Sequence, residues 1–246
     1  MKKRTSDYEI NALCGMLIED FIKKFHYSNT RVIDIETFVT DYLGTKIVFE
    51  TFDYETKGRD GFLSDGITQL RVIRDGISQR VIYPKNIIVI NSDLNDPNVL
   101  ARLRFTIAHE AGHLILNRHI PGSCEAAFHT EFTEGEEYSM EMLKSMLSIR
   151  EIMSNKAAAS LLMPQFIVSR ALNTYNNGNK VTAYTGSDTI LPDISKRIIQ
   201  RMADSMGVSF SACYRRLKEL ELFDVKPFSE YAINFNNMEA GYDQSI

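Results

Sequence analysis

The feature that most constrains this chain is a pair of histidines four residues apart, His109 and His113, within a segment that has helical apolar spacing. Residues four apart lie on the same helix face, so both imidazoles can bind one metal ion. Zn2+ accepts neutral imidazole nitrogen, and three protein ligands leave a fourth position for water. Glu110, next to His109, is placed to remove the proton from that water as a general base. The motif therefore predicts a hydrolytic zinc centre with one ion per chain.

The helix that carries this motif is predicted to begin at Asp96-Pro97, because aspartate is a good N-cap residue and proline suits the first helical position. Its apolar positions continue to about Asn117. Gly112 lies in the middle, where a glycine costs about 1 kcal/mol relative to alanine. We therefore expect close packing of another element against Gly112.

Two residues are the main alternatives for the third metal ligand. His119 occupies the position of the last histidine in the longer pattern HExxHxxGxxH, but Leu116 replaces the glycine that turns the chain there. Glu151 lies on an Ala-rich helix, and Asn155, four residues later on the same face, can fix the tautomer of a ligand histidine. This pairing favours Glu151. Minor alternatives are Glu136, Glu137, Glu141 and His129.

The periodicity along the chain predicts an α+β fold, in which a small sheet precedes the helix of the histidine motif. Helices are predicted over 8–25, 35–42, 149–163, 194–206 and 210–220, strands over 46–52, 71–73 and 86–91, and turns over 53–66. We expect a zinc peptidase core over residues 1–170, a loop over 171–192 and a helical region over 193–246. The last 20 or so residues are expected to be irregular.

The charge and the cysteines narrow the class of protein further. A net charge of −4 does not predict a protein surface that binds nucleic acid or the surface of a membrane. Three scattered cysteines do not resemble a disulfide framework, and no run is long and apolar enough for a membrane span, so a soluble cytoplasmic protein is expected. The acidic segment between His119 and Lys144 is expected to be a solvated connection or a lid over the cleft; its glutamates are Glu125, Glu131, Glu134, Glu136, Glu137 and Glu141.

Two segments resemble the ImmA/IrrE family of zinc metallopeptidases. Residues 104–116 (RFTIAHEAGHLIL) are similar to the family motif RFTIAHELGHLLL, and residues 151–164 (EIMSNKAAASLLMP) are similar to ExxANxFAxxLLMP. The strand NIIVIN before the helix also fits, so the resemblance covers about residues 30–170. The departures are Ser154 for alanine, Ala157 for phenylalanine, and an unusually long acidic stretch that places Glu151 38 positions after His113.

The resemblance implies a thermolysin-like core, a mostly antiparallel sheet packed on the HExxH helix, followed by C-terminal helices. It implies His109, His113 and Glu151 as zinc ligands and Glu110 as the base. It also implies an endopeptidase that cleaves a helix-turn-helix transcriptional repressor and so regulates transcription. The alternative is a regulatory protein on the same fold that acts by binding a partner or DNA without catalysis.

Several finer predictions concern substrate and DNA contacts. Tyr83, Arg104 and His119 are candidates for a second donor to the oxyanion. The strand Ile87–Ile90 is a candidate for pairing with an extended substrate. The C-terminal helices resemble part of a helix-turn-helix, with basic side chains that could meet phosphates, although direct DNA binding is not expected; these are Arg215, Arg216 and Lys218.

Overall fold

The computed structural model describes residues 7–27, 30–56, 58–119, 127–130, 149–185 and 189–231. The chain divides into two compact units. The first contains the described residues up to Pro164 together with Met206–Val208, and the second contains those of Gln165–Ser205 and from Ser209 onward.

The first unit combines four helices with one sheet. Its helices are α1 (Asp7–Lys24), α2 (Ile35–Thr37), which continues as a π-helix over Phe38–Tyr42, α3 (Leu100–His119) and α4 (Ile149–Leu162). Its strands are β1 (Ile47–Phe52), β2 (Arg59–Leu63), β3 (Gln69–Arg74), β4 (Ile77–Ile82), β5 (Ile88–Asn91) and β6 (Ala127–Thr130). Short 3-10 turns cover Tyr54–Thr56, Ser92–Leu94 and Pro97–Val99.

The sheet has the strand order β4-β3-β1-β5-β2-β6. Only the β1–β5 pair is parallel, and the other four pairs are antiparallel. All four residues of β5 are buried, as a continuous apolar run predicts for an internal strand. Because β1 and β2 pair with its two sides, β5 has no free edge. The prediction that the strand Ile87–Ile90 pairs with a substrate is therefore wrong.

Two helices carry the residues of the histidine motif and of Glu151. α3 contacts β2, β5 and β6 of the sheet, and α4 contacts both α3 and α1. Buried Ser160 of α4 donates a hydrogen bond to Asn11 of α1, and Lys156 forms an ion pair with Asp7 near the start of α1. α1 thus supports α4 from the side, which fixes α4 against α3.

The second unit contains three helices and a three-stranded sheet. The helices are α5 (Gln165–Asn176), α6 (Asp193–Met206) and α7 (Phe210–Glu219), and the strands are β7 (Val181–Thr185), β8 (Thr189–Ile190) and β9 (Phe223–Pro227). β7 lies between β8 and β9, antiparallel to β8 and parallel to β9. α6 is joined to this sheet by Ser195, whose buried hydroxyl donates to the Thr182 carbonyl at 2.7 Å.

The α+β class and the helices predicted from periodicity are confirmed. The expected loop over 171–192 is wrong, because these residues include the end of α5, β7 and β8. The last residues are not wholly irregular, since β9 covers Phe223–Pro227. The turns expected over 53–66 include β2, and β4 was not predicted at all. β2 contains a glycine and β4 has several polar residues, so pairing rather than composition makes each of these two segments a strand.

The structure also bears on the charged segments. Of the three basic side chains that could meet phosphates, Arg216 of α7 is 2% exposed and lies 3.2 Å from Glu219, so it does not present its guanidinium to a phosphate. Arg215 and Lys218 are exposed. Apart from residues 127–130, the acidic segment lies outside the described residues, and its predicted role as a lid or linker stays a prediction.

Among the described helices, none combines the length and apolar character that a membrane span requires.

Candidate metal centre and active site

His109 and His113 lie one turn apart on α3, and Glu151 lies in the first turn of α4. The Nε2 atoms of the two histidines are 3.0 Å apart. Glu151 places Oε2 3.2 Å from His109 Nε2 and Oε1 3.2 Å from His113 Nε2. Among the described residues, these three form the one cluster of metal-ligating side chains, with their ligand atoms within 4.8 Å of one another.

Each imidazole is held from the opposite side by a residue of α4. His109 Nδ1 is 2.9 Å from Asn155 Oδ1, and His113 Nδ1 is 2.9 Å from Ser154 Oγ. An amide oxygen can only accept, so we assign the proton of His109 to Nδ1, which leaves its Nε2 as a lone-pair donor to a metal. The same assignment for His113 makes Ser154 the acceptor. α4 thus supplies both the carboxylate and the two groups that orient the imidazoles.

The donor set fits a metal ion. Two imidazole lone pairs and one carboxylate converge on the same point, and such a group repels itself unless a positive charge lies between its members. Burial lowers the pKa of His113 and so disfavours an imidazolium as that charge. Two nitrogens and one carboxylate oxygen are ligands that Zn2+ prefers.

Glu110 lies beside this cluster and is fully buried. Within the described part of the chain, neither oxygen of its carboxylate has a hydrogen-bond partner. Burial and the charge of Glu151 raise the pKa of Glu110 well above its ordinary value. The nearby Leu63 amide lowers this pKa somewhat, but it does not form a hydrogen bond with either carboxylate oxygen. A buried carboxylate without partners is costly, so an occupant that brings a proton is expected beside it.

β2 passes directly against Glu110 at Gly61. A Cβ on Gly61 would lie 2.8 Å from Glu110 Oε1 and 2.8 Å from Thr106 Cγ2, distances at which something must shift. The hydroxyl of Thr106, one turn before Glu110, is also buried without a partner among the described residues. Glycine at position 61 therefore allows the backbone of β2 to approach the carboxylate closely.

Gly112 has the close neighbour that its position in the helix predicted. A Cβ on Gly112 would lie 3.0 Å from the Ser154 carbonyl oxygen and 3.1 Å from Ala157 Cβ. Ala157, which stands where the similar family motif has phenylalanine, is fully buried. Two small residues thus let α3 and α4 approach closely at the level of the histidines.

The three candidate oxyanion donors are not brought to this cluster. The Tyr83 hydroxyl donates to Glu50 at 2.7 Å and accepts from Arg74 at 3.1 Å. Arg104 donates to the backbone carbonyls of Ile33 and Gly207, which belong to the same unit, at 2.9 Å each. His119 is exposed at the end of α3, because the helix continues past Leu116 as predicted. Six residues separate it from His113, about 9 Å along the helix axis.

Sequence reasoning missed two features of the site. Ser154 was noted only as a departure from a motif, although its position three residues after Glu151 places it on the same helix face. Asp60 of β2 accepts a bidentate ion pair from Arg102 of α3, at 2.8 Å to both oxygens. No local pattern predicts this pair, because it joins residues 42 positions apart.

The chain matches the model of a protein family. It is described as the IrrE N-terminal-like domain, a peptidase family, and the match covers residues 40–218. No curated protein matches the chain.

Proposed function

The chain belongs to the family of IrrE N-terminal-like domains, and from this membership we propose that it is a zinc-dependent endopeptidase. The family supports a function of the metallopeptidase type. The finer proposal assigns His109, His113 and Glu151 as the ligands of one Zn2+ per chain.

The observation that carries the proposal is the convergence of two histidine Nε2 atoms on one carboxylate, at 3.0–3.2 Å, with both Nδ1 atoms already hydrogen-bonded. When bound, Zn2+ supplies a Lewis acid that makes water more acidic and polarises the carbonyl of the scissile bond. Three protein ligands leave room for that chemistry, whereas structural zinc sites have four protein ligands.

Glu110 is assigned the proton transfers of the reaction. Its carboxylate accepts a proton from the attacking water and then passes it to the leaving nitrogen of the peptide. Asn155 and Ser154 hold the two imidazoles in the tautomer that leaves Nε2 free.

For the substrate, we propose a helix-turn-helix transcriptional repressor in the cytoplasm. The support is the resemblance of residues 104–116 and 151–164 to the ImmA/IrrE motifs. Direct DNA binding by the C-terminal helices is not part of the proposal, and the burial of Arg216 is consistent with that.

The alternative is a regulatory protein that keeps the fold and binds a partner or DNA without hydrolysis. The family includes regulatory members. A purely structural zinc protein is disfavoured, because three protein ligands leave one position of the metal open. The two functions differ in whether Glu110 is needed.

The test uses the zinc-loaded full chain, the repressors encoded beside its gene, and mass spectrometry of the products. We expect one cleavage in one repressor, and we expect Glu110→Gln to abolish cleavage while it retains about one zinc per chain. Glu19→Gln, the same change at an exposed position of α1, is the matched control. If Glu110→Gln keeps its full biological activity, the peptidase proposal is wrong and the regulatory alternative holds.

A further inference from the structure

β2 passes against Glu110 at Gly61. One edge of β2 is bonded to β5, with Gly61 opposite Ile90. A Cβ on Gly61 would lie 2.8 Å from Glu110 Oε1, so the backbone of β2 runs alongside the proposed base. The remaining edge of β2 is therefore where the backbone of an extended peptide would lie next to Glu110 after adding to the sheet.

A segment of the chain itself already occupies this edge. β6 is only four residues long, and it pairs antiparallel with β2, with Phe62 opposite Phe128 and Leu63 opposite Ala127. It belongs to the connection between α3, which ends at His119, and α4, which begins at Ile149, so the connection joins the two helices that carry the proposed ligands.

The pairing of β6 with β2 is interrupted at the proposed active site. Arg59 pairs with Thr130 and Phe62 pairs with Phe128, and the register shifts between them. Two residues of β2, Asp60 and Gly61, therefore lie opposite the single residue 129 of β6. A bulge of this kind leaves ladder hydrogen bonds unmade, which makes a short edge strand easier to displace.

In the described structure, solvent does not reach the proposed base or the two histidine ligands. Glu110 and His109 are 0% exposed and His113 is 2% exposed. A base in hydrolysis must meet water and the scissile bond, so some element that covers Glu110 has to move. β5 and α3 are central to the unit, whereas β6 is the terminal strand of the sheet and has one strand neighbour.

We propose that β6 occupies the edge of β2 to which an extended segment of the protein substrate binds, so the chain blocks its own substrate site until β6 leaves. The inference rests on the proposed function and adds its regulation. The apparent affinity for an extended ligand is lowered by the fraction of molecules in which β6 is undocked. If β6 is docked in about 90–99% of molecules, removing it raises that affinity about 10–100-fold.

The experiment compares two probes that share the same zinc-binding group. Acetohydroxamic acid is too small to pair with a strand, whereas the tripeptide hydroxamate acetyl-Leu-Val-Leu-NHOH can extend along β2. Calorimetry measures the Kd of both on the zinc-loaded full chain and on the double variant Ala127→Pro, Phe128→Pro. Two adjacent prolines remove an amide from the β2 ladder in either register. The double variant Ala127→Val, Phe128→Val keeps both amides and is the matched control.

We expect the proline variant to bind the tripeptide hydroxamate at least about tenfold more tightly than the wild type and the valine control, and to show a smaller gain for acetohydroxamic acid, which does not reach along β2. An equal gain for both probes would overturn the inference, because it would show a general opening of the site and not release of the β2 edge. Equal tripeptide affinity in all three proteins would overturn the inference and leave the proposed function intact. Failure of acetohydroxamic acid to bind both the zinc-loaded wild type and the zinc-loaded proline variant would overturn the proposed function and the inference with it.

A second measurement on the wild type does not depend on the variants folding. Hydrogen exchange is followed in residues 127–130 and in β2, with and without the tripeptide hydroxamate. The inference requires that the amides of residues 127–130 lose protection when the probe binds, while the β2 amides keep theirs. Unchanged protection of residues 127–130 in the complex contradicts it.

Discussion

Replacement of Gly112 by alanine tests how strictly the packing of α3 on α4 controls the metal centre. The new Cβ would lie 3.0 Å from the Ser154 carbonyl oxygen and 3.1 Å from Ala157 Cβ. Optimal carbon contacts are about 3.5–4.0 Å, so α4 must move away by about 0.4 Å or more. The neighbours are backbone and a Cβ, which have no rotamer by which to yield.

Two opposing free energies decide the effect of Gly112→Ala on stability. Alanine gains about 1 kcal/mol over glycine in a helix interior. Overpacking costs about 1–3 kcal/mol. We therefore expect the metal-free protein to lose between about 0 and 2 kcal/mol of unfolding free energy. A helix that retreats by about 0.4 Å carries Glu151 beyond the ±0.2 Å tolerance of metal–ligand distances, so zinc affinity falls by about tenfold or more.

The assay combines urea unfolding of the metal-free chain with a zinc titration against a coloured chelator. Gly15→Ala is the matched control, because Gly15 lies inside α1 and nothing is within 4 Å of its added Cβ. It should gain about 1 kcal/mol and leave zinc affinity unchanged. If Gly112→Ala also gains about 1 kcal/mol with unchanged zinc affinity, the close approach of the two helices does not constrain the site.

Three further predictions concern the metal centre. Ser154→Ala should weaken zinc binding about 10–100-fold because His113 loses its orienting partner, whereas Ser169→Ala at an exposed position of α5 should not; equal affinities would refute the role of Ser154. Glu151→Ala should lower zinc affinity far more than His119→Ala in the same titration, and the reverse result would exchange their assignments. As pH falls, zinc content should stay constant to about 6.5 and decline only below it, since burial lowers the pKa of His113 and a bound imidazole must be neutral; loss of half the zinc at pH 7 would contradict this.

The sequence alone determined the parts of this protein that depend on local spacing. His109 and His113 share a face because they are four residues apart on one helix, and the same reasoning places Asn155 in phase with Glu151. The cost of a glycine inside a helix indicated close packing at Gly112, and the structure provides it in Ser154 and Ala157. Helical contacts repeat within a few residues, so each of these predictions needed only a short stretch of the chain.

Tertiary structure decided what depends on residues distant in the chain. The glycine-containing segment Arg59–Leu63 forms a strand because it pairs with β5, and this pairing places Gly61 against Glu110. The strand at Ile87–Ile90 cannot pair with a substrate, because β1 and β2 pair with its two sides. The Tyr83 hydroxyl is already hydrogen-bonded to Glu50 and Arg74. Strand partners and buried polar contacts join segments tens of residues apart, and their stability comes from packing that no local periodicity records.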